Sequence, residues 1–359
     1  NMCSDRQGGV YVTWYEDAFA GDGNYYGTHL QADGTFVGPD LLIETDENYG
    51  SVSLESAGGG DAVLAWKEGN NGSENIYAQR IKAVNTTIDK LWNAGNPVEV
   101  CTSSGSQLSP KVTYYSDDYV VIVWDDQRTI PYAVGGNFID VNGVLTFASG
   151  NDLVFTTTAS SSTFPRVKAT SEGAFVVWLS AENVFYVQKM IPGNISVWTD
   201  PVSLGTGQNQ AQARLSSDGL GGVFISWEDD QTIAVQHLSS NGSSSFSMIL
   251  SDTASEQFYT LVRSDGASGA YIVWADGSLG ENGIGSLGLH YEYVDLNGST
   301  LGSPVELFYG YGGLIDKGTT RSIPFDEDNN LIYWQDYRNG ANNPQTYGSL
   351  GGETANFGE

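Results

Sequence analysis

The sequence contains few of the residues that most often carry out catalysis, bind metals or cross-link a chain. Its 359 residues include three histidines and two cysteines. Cys3 and Cys101 fall at different positions of an internal repeat, so we expect two free thiols rather than a disulfide. Because no cysteine pair and no His-x-x-x-His spacing occurs, zinc binding is not expected either.

Positive charge and long apolar runs are also scarce. The formal net charge is −28, from 43 acidic and 15 basic residues. Such a chain repels phosphate backbones and anionic headgroups, which excludes nucleic acid and an anionic membrane surface as partners. No stretch approaches the roughly 18 apolar residues of a membrane span, so direct membrane insertion is not expected. Two interpretations of the acidity stay open: solubility outside a cell, or attraction of cations or a basic partner.

One sequence unit recurs seven times: a turn, a run of β-forming residues, then tryptophan. Examples are GGVYVTW (8–14), GDAVLAW (60–66) and GGVFISW (221–227). Runs this short, and this rich in β-branched and aromatic residues, predict strands rather than helices. The tryptophans follow one another at intervals of 47 to 60 residues and are Trp14, Trp66, Trp124, Trp178, Trp227, Trp274 and Trp334.

Three further strands can be placed around each tryptophan. One precedes it, and a second follows it and ends in a hairpin turn, as in IAVQHLSSNG (233–242). For the weaker fourth strand we assign segments such as GVLTF (143–147) and ISVW (195–198). Four strands repeated seven times predict an all-β fold, a seven-bladed β-propeller of four-stranded antiparallel blades. A two-sheet sandwich gives no reason for a tryptophan at one fixed place in seven units.

The repeat predicts a single propeller over residues 1–359. Its blades span approximately 1–48, 49–106, 107–161, 162–209, 210–256, 257–312 and 313–359. Because the first residues already belong to the middle of a repeat, we expect a processed or excised piece of a longer chain.

The unit GG-hhhh-W-x-D-x-R, followed by IYAQR and an Asp-Gly or Asn-Gly turn, resembles the propeller-type repeats of large secreted bacterial surface proteins. The matching segments run from Trp124 to Arg128, from Trp334 to Arg338 and from Ile76 to Arg80. The resemblance covers the whole chain and implies a propeller at the cell surface or outside the cell, often as cargo of type IX secretion. It specifies no activity.

Charged residues recur at two positions of the repeat. Acidic residues follow most tryptophans, in loops that a propeller places at the mouth of its central channel; candidate ligand contacts there are Asp126, Asp229, Asp230 and Asp336. Four cations lie 12 or 13 residues before their tryptophans, on the innermost strand: Lys111, Arg166, Arg214 and Arg321.

Two interpretations of these cations stay open. They pair with acidic loops of their own or adjacent blades, as partly buried arginines commonly do. Alternatively, they bind a polyanionic glycan or another polar ligand at the channel mouth. In the second case Trp92 and Trp198 are candidate sugar-stacking platforms, with packing at the outer edge as the alternative.

We expect no cofactor. Calcium is the metal that so many carboxylates would suit, but Asp22-Gly23-Asn24 and residues 326–329 are only fragments of an Asp-x-Asp-x-Asp/Asn-Gly loop. The repeat also accounts for the histidines. His29 and His237 share a repeat position with Arg80 and Lys189, and His290 falls on that of Tyr77.

The sequence favours a non-catalytic binding or scaffold module for adhesion or extracellular assembly, with a protein or glycan partner at the cell surface. It contains no nucleophile elbow, no phosphate-cradling glycine loop and no zinc-protease motif. The alternative is a carbohydrate-active propeller enzyme (a polysaccharide lyase or glycosidase) or a lectin that uses Arg166, Arg214 and Arg321.

Overall fold

The computed structural model describes residues 1–16, 24–44, 52–69, 72–116, 118–147, 152–155, 162–207, 213–250, 257–277, 285–313, 331–336, 345–350 and 353–356. Beyond residue 306 it describes the backbone alone. The chain forms two compact units, Asn1–Gly205 and Thr206–Glu359.

The first unit contains four antiparallel sheets. Blade 1 consists of β1 (Met2–Ser4), β2 (Val10–Glu16), β3 (Asn24–Leu30) and β4 (Phe36–Glu44). Blade 2 consists of β5 (Ser53–Gly58), β6 (Asp61–Glu68), β7 (Asn75–Val84), β8 (Thr87–Lys90) and β9 (Val98–Cys101), and both β8 and β9 pair with β7. Blade 3 consists of β10 (Gln107–Ser116), β11 (Tyr119–Asp126), β12 (Ala133–Asp140) and β13 (Leu153–Phe155). Blade 4 consists of β14 (Ser162–Thr170), β15 (Gly173–Ser180), β16 (Val184–Met190) and β17 (Val202–Thr206).

The second unit contains three antiparallel sheets. Blade 5 consists of β18 (Arg214–Ser217), β19 (Val223–Asp229), β20 (Thr232–Leu238) and β21 (Ser244–Ile249). Blade 6 consists of β22 (Gln257–Ser264), β23 (Gly269–Gly277), β24 (Gly285–Asp295) and β25 (Val305–Gly313). Three strands of blade 7 are described: β26 (Leu331–Asp336), β27 (Gln345–Leu350) and β28 (Glu353–Asn356).

Strands that follow one another in sequence are neighbours in each sheet, which is the order of a β-propeller blade. The prediction of an all-β propeller with four-stranded antiparallel blades is confirmed, and the seven sheets are consistent with seven blades. In the described ranges a single 3₁₀ turn, Asn93–Gly95, is the one helical element. No helix within those ranges has the length and apolarity needed to cross a membrane.

The hydrophobic core lies between successive sheets rather than within one sheet. In blades 2 to 6 strand two is buried on both faces, and in β15 all eight residues are buried. Residues of blades 1 and 2, 2 and 3, 3 and 4, and 5 and 6 form four shared clusters. Each of these blades therefore buries its apolar face only against a neighbouring blade.

The repeated tryptophan lies near the end of strand two and packs on strand three. Trp66, Trp124, Trp178, Trp227 and Trp274 are buried, whereas Trp14 is half-buried. In four blades the indole stacks on the ring directly across from it, with centroids 5.9–6.3 Å apart: Trp14–Tyr26, Trp66–Tyr77, Trp178–Tyr186 and Trp274–His290. Trp334 lies on β26, across from Tyr347, with its side chain outside the described part.

Blade 3 fills the same space differently. The residue across from Trp124 is Gly135, and a Cβ atom on Gly135 would overlap the Trp124 ring. The absence of a side chain at this glycine allows the indole to lie directly against strand three.

The position of the fourth strand differs from the prediction. We assigned 143–147 and 195–198, but the fourth strands lie further along the chain, at Leu153–Phe155 and Val202–Thr206. Asn137 on strand three donates to the Phe147 carbonyl at 2.8 Å and accepts from the Phe147 N–H at 3.1 Å. Gln188 makes the same pair of bonds to Trp198, at 2.9 and 3.1 Å. These side chains occupy backbone groups that a strand ladder needs, so both assignments are wrong.

Hydrogen bonds between first strands also join adjacent blades. The Thr113 hydroxyl accepts the Ala169 N–H at 3.4 Å in the first unit, and the Ser216 hydroxyl accepts the Ser264 N–H at 2.9 Å in the second. Thr113 and Ser216 each stand two residues after a predicted cation, Lys111 or Arg214. The same contact therefore recurs at one register position.

Tyr11 makes a further link, between blades 1 and 2. Its buried hydroxyl donates to the Gly60 carbonyl at 2.8 Å and accepts the Ala83 N–H at 2.7 Å. One oxygen atom thus satisfies two backbone groups of the neighbouring blade.

Tyr11→Phe should lower the free energy of unfolding by about 1–3 kcal/mol, because it leaves the partly buried Ala83 N–H and the buried Gly60 carbonyl without their partner. Urea denaturation of both proteins measures the difference. Tyr119→Phe is the matched control, since the Tyr119 ring packs edge-on against Phe138, and it should change stability by about 0.5 kcal/mol or less. Equal losses in the two variants would contradict the assigned role of the Tyr11 hydroxyl.

Candidate functional site

Three of the four predicted cations occupy one register position on strand one. Lys111 lies across from Val123, Arg166 from Val177 and Arg214 from Ser226, in each case the residue before the tryptophan. All three side chains are half-buried. Arg321 lies outside the described residues.

Strand one bulges immediately before Lys111 and Arg166. The pairing register shifts between Leu108 and Lys111, and again between Thr163 and Arg166. In each bulge a residue other than glycine takes a left-handed backbone conformation: Ser109 has φ 53° and Phe164 has φ 57°. A bulky residue at positive φ is strained, so neighbouring contacts must hold the Phe164 backbone in place.

Asp125 provides one of these contacts. It follows Trp124 on β11, it is buried, and its Oδ1 accepts the Phe164 N–H at 2.8 Å. The Ser109 hydroxyl also donates to it, and Arg166 and Lys111 add positive charge nearby. Burial raises the pKa of Asp125 to about 6, against these four groups, which favour the ionised form. This arrangement supports the interpretation in which the cations pair with acidic loops and tie blades together.

A related arrangement occurs in blade 5. Burial lowers the pKa of Arg214, and the negative charge of Glu228, the residue after Trp227, opposes this shift. Next along the chain, Asp229 accepts a hydrogen bond from the Thr206 hydroxyl at 2.9 Å, and Asp230 is exposed in the turn after β19. Asp336 ends β26, and its side chain lies outside the described part.

Asp126 is fully buried and bound within the fold. Its Oδ2 accepts the Trp124 indole N–H at 2.9 Å, and both of its oxygens accept from the Arg128 guanidinium. Arg128 also lies 2.9 Å from Asp152 and donates to Ser103 at 3.0 Å. Burial alone would lower the pKa of Arg128, but its bonds to Asp126 raise it. The Asp-x-Arg pair of this blade braces the loop after strand two, and sequence reasoning missed Asp152 because it follows no tryptophan.

Two of the three histidines bind the hairpin between strands one and two. His29 Nε2 lies 2.9 Å from Asp5 Oδ2, and His237 Nε2 lies 2.9 Å from Asp218 Oδ2. Burial opposes ionisation of each aspartate, but N–H groups of its own hairpin and the histidine lower its pKa. The predicted shared position of these histidines with Arg80 and Lys189 is confirmed, since each stands across from the residue three before a tryptophan.

His237 also lies 3.0 Å from the Ser245 hydroxyl, which completes a Ser-His-Asp chain. The repeat accounts for this chain without catalysis. In blade 1 the same pair occurs while His29 Nδ1 has no partner among the described residues. In blade 6 a tyrosine, Tyr293, stands at the histidine position and donates to Asp265 at 2.8 Å.

His290 takes the strand-three position that Tyr77 has in blade 2, as predicted. It stacks on Trp274, and its Nε2 lies 3.2 Å from Asp276 Oδ1. Gly288 stands across from Asp276, and a Cβ atom there would contact both the His290 ring and the Asp276 carboxylate. Close packing therefore fixes this histidine in the blade.

The two candidate sugar platforms differ in exposure. Trp92 is buried, and its indole N–H donates to the Val141 carbonyl at 3.0 Å, so it packs at the edge between blades 2 and 3. Trp198 is half-buried, with its ring edge-on to Phe175 at 5.8 Å. The first observation supports edge packing over sugar stacking for Trp92.

Cys3 and Cys101 are both free thiols. No group of three or more His, Cys, Asp or Glu side chains in the described ranges is arranged to hold a metal ion. The two calcium-loop fragments, around Asp22 and at 326–329, lie outside these ranges except for Asn24.

The described part of the surface carries little positive charge. Among the basic residues that the structure describes, only Arg6 and Lys90 are exposed. The exposed acidic residues are Glu16, Asp33, Asp40, Glu68, Asp89, Glu99, Asp118, Glu172, Glu182, Asp200, Asp230, Asp265 and Glu306. The surface is therefore more one-sided than the net charge alone indicates, because most described cations lie at least partly inside the fold.

Asp125→Asn tests the electrostatic state of the blade 3–4 contact. Because the pKa of about 6 in the folded chain exceeds the ordinary value of 3.8, the Asp125 carboxylate costs stability above pH 6, and this cost disappears as the pH falls towards 4. Asparagine keeps an oxygen that can accept the Phe164 N–H. The variant should gain stability on the order of 3 kcal/mol at pH 8 and less than about 1 kcal/mol at pH 4.

Urea denaturation between pH 4 and pH 8 measures this difference. Asp118→Asn removes the same charge from an exposed position of the same blade and is the control. A pH-independent difference between wild type and Asp125→Asn would contradict the assigned titration.

No protein-family model matches the chain, and no curated protein matches its sequence. Among solved structures, a chain from a study of two prolyl endopeptidases aligns with a TM-score of 0.58 at 12% identity, over 98% of this chain and 48% of that one. The periplasmic gluconolactonase of Pseudomonas aeruginosa aligns with a TM-score of 0.52 at 12% identity, over 96% and 95%. The chain thus spans about half the length of the peptidase chain. At this identity the two similarities show the β-propeller fold alone.

Proposed function

We propose that the chain is a non-catalytic binding module that presents the loops after strand two to a partner. One observation carries this proposal: the side chains best suited to catalysis are engaged in holding the fold. His29 and His237 bind hairpin aspartates, and Arg128 binds Asp126 and Asp152. Both histidines are also buried, and a buried imidazole lacks the access to a substrate that proton transfer requires.

The partner is a protein or a glycan at the cell surface. The exposed acidic side chains favour a neutral or basic protein partner, because opposite charge speeds encounter and like charge suppresses it. The inner-strand cations favour a ligand that carries a localised negative group. Both kinds of partner are compatible with a rigid propeller that offers loops of different length.

The second candidate is a carbohydrate-active enzyme or a lectin. A specific observation favours it: Lys111, Arg166 and Arg214 repeat at one register position of strand one and are half-buried. Cations held in this way can bind the carboxylate or sulfate groups of acidic sugars. A lectin binds such a sugar unchanged, whereas an enzyme cleaves it.

Arrays of neutral and anionic glycans, together with candidate surface proteins, test both functions with the intact chain. Wild type should bind at least one ligand class, and incubation with anionic polysaccharides should yield no new reducing ends or unsaturated products. Where the ligand is anionic, Arg166→Ala or Arg214→Ala should weaken binding by about tenfold, the loss expected for one charge-assisted hydrogen bond.

Lys90→Ala is the matched control, since Lys90 is an exposed cation on the outer edge of blade 2. It should leave affinity unchanged. Turnover of a polysaccharide would contradict the binding module and support the enzyme. Equal losses of affinity in Arg166→Ala, Arg214→Ala and Lys90→Ala would indicate unspecific electrostatic attraction. If wild type binds none of the ligand classes, the proposal is refuted.

We further propose that the protein acts outside the cell. The resemblance of its repeat to those of secreted surface proteins and the strongly acidic surface support this location. Immunodetection in the medium, cell envelope and cytosol of the source cells provides the test. Recovery of the protein in the cytosol alone would contradict it.

A further inference from the structure

The first strands of blades 3 and 4 each carry a cation near one buried carboxylate. Lys111 on β10 and Arg166 on β14 have equivalent positions in neighbouring blades, and both act on Asp125 of β11. Asp125 is 7% exposed, whereas Lys111 and Arg166 are half-buried and therefore more exposed than the carboxyl. All three residues lie within the first unit.

The groups around Asp125 are those of an oxyanion site. The Phe164 N–H donates to Oδ1 at 2.8 Å, and the Ser109 hydroxyl donates from the opposite bulge. Across β12 the facing residue is Val134, which carries no charge. The next acidic residue, Asp126, is occupied by Arg128 and Trp124. Asp125 is thus a built-in anion held by two hydrogen-bond donors and two cations.

Two strained backbones support a functional origin for this arrangement. Ser109 and Phe164 both hold a left-handed conformation in the bulges that precede Lys111 and Arg166. Such strain persists where surrounding structure enforces it, and it is concentrated at ligand sites and switches. The bulges turn the Ser109 hydroxyl and the Phe164 N–H towards the same carboxylate.

We propose that Lys111, Asp125 and Arg166 form a proton-gated binding site for a small oxyanion, such as a carboxylate or sulfate group. With Asp125 ionised, its charge offsets the cations and repels an incoming anion. With Asp125 protonated, the cations face the anion without that opposing charge, and the carboxyl O–H becomes a donor. The proposal deepens the binding function above, because it uses two of the same cations and names the ligand group and the condition for binding it.

The gate operates in mildly acidic solution. Burial raises the pKa of Asp125 to about 6, so the carboxyl is largely protonated at pH 5 and almost wholly ionised at pH 8. The apparent affinity falls in proportion to the fraction of competent protein, which predicts a dissociation constant roughly 100-fold weaker at pH 8 than at pH 5.

Sodium sulfate is the probe, because sulfate keeps the same charge at both pH values. Its binding is measured by isothermal titration calorimetry at pH 5 and pH 8, with ionic strength held constant by sodium chloride. Wild type should bind about 100-fold more tightly at pH 5. Asp125→Asn, which lacks the titrating group, should bind with similar affinity at both pH values. Lys111→Met and Arg166→Met should each weaken binding at pH 5 by about tenfold or more.

Asp118→Asn is the matched control and should keep the wild-type pH dependence. A pH dependence that survives in Asp125→Asn would overturn the gate, because it would then come from the total charge of the protein. Sulfate binding unaffected by either Met substitution would overturn the site. If an array ligand requires Arg166 but binds equally well at pH 5 and pH 8, the proton gate is contradicted and the binding function stands. If sulfate binds only at low pH but no array ligand is found, the binding function is contradicted and the proton gate stands.

Discussion

Burial of the second strand between two sheets is the interaction on which the whole structure depends. In blades 2 to 6 this strand is largely apolar on both faces and carries a buried tryptophan near its end, so a single blade cannot bury it. Each large side chain removed from water contributes about 1.5–3 kcal/mol, and every clustered pair of blades gains this through a neighbour. The hydrogen bonds between first strands then fix the alignment of adjacent blades, because hydrophobic burial is non-directional and does not favour one alignment over another.

Polar side chains serve the same purpose inside the blades. The aspartate–histidine pairs close the hairpins, and the Asp126–Arg128–Asp152 group fixes a loop. An unpaired buried charge is costly, so these positions accept few substitutions. Among the described residues, the use of cations in internal pairs also leaves little positive charge on the surface. The distribution of lysine and arginine therefore determines both the acidic surface and the internal ion pairs.

The fold could be read from the sequence because its main determinant, a tryptophan after a β-branched run, is local and repeated. The equivalence of Lys111, Arg166 and Arg214 followed from the same spacing, and the register agrees with it. The positions of the fourth strands could not be predicted from the repeat. The side chains of Asn137 and Gln188, on strand three, hydrogen-bond the backbone groups of residues 147 and 198, which are therefore not available for strand pairing. The burial of Asp126 and the hydrogen bond between Asp125 and Phe164 could not be predicted either, because both depend on packing between elements that residue spacing does not encode.

The recurring hydroxyl-to-amide contact between first strands has a consequence for how such a chain can evolve. Thr113 serves Ala169 in one pair of blades and Ser216 serves Ser264 in another, so every blade that follows this rule carries an acceptor on one side and a donor on the other. A gene segment encoding one blade can be duplicated or deleted in frame, and the new neighbours meet with matching chemistry. Differences in length between blades are then confined to the loops. The intervals between successive tryptophans, which range from 47 to 60 residues, agree with this.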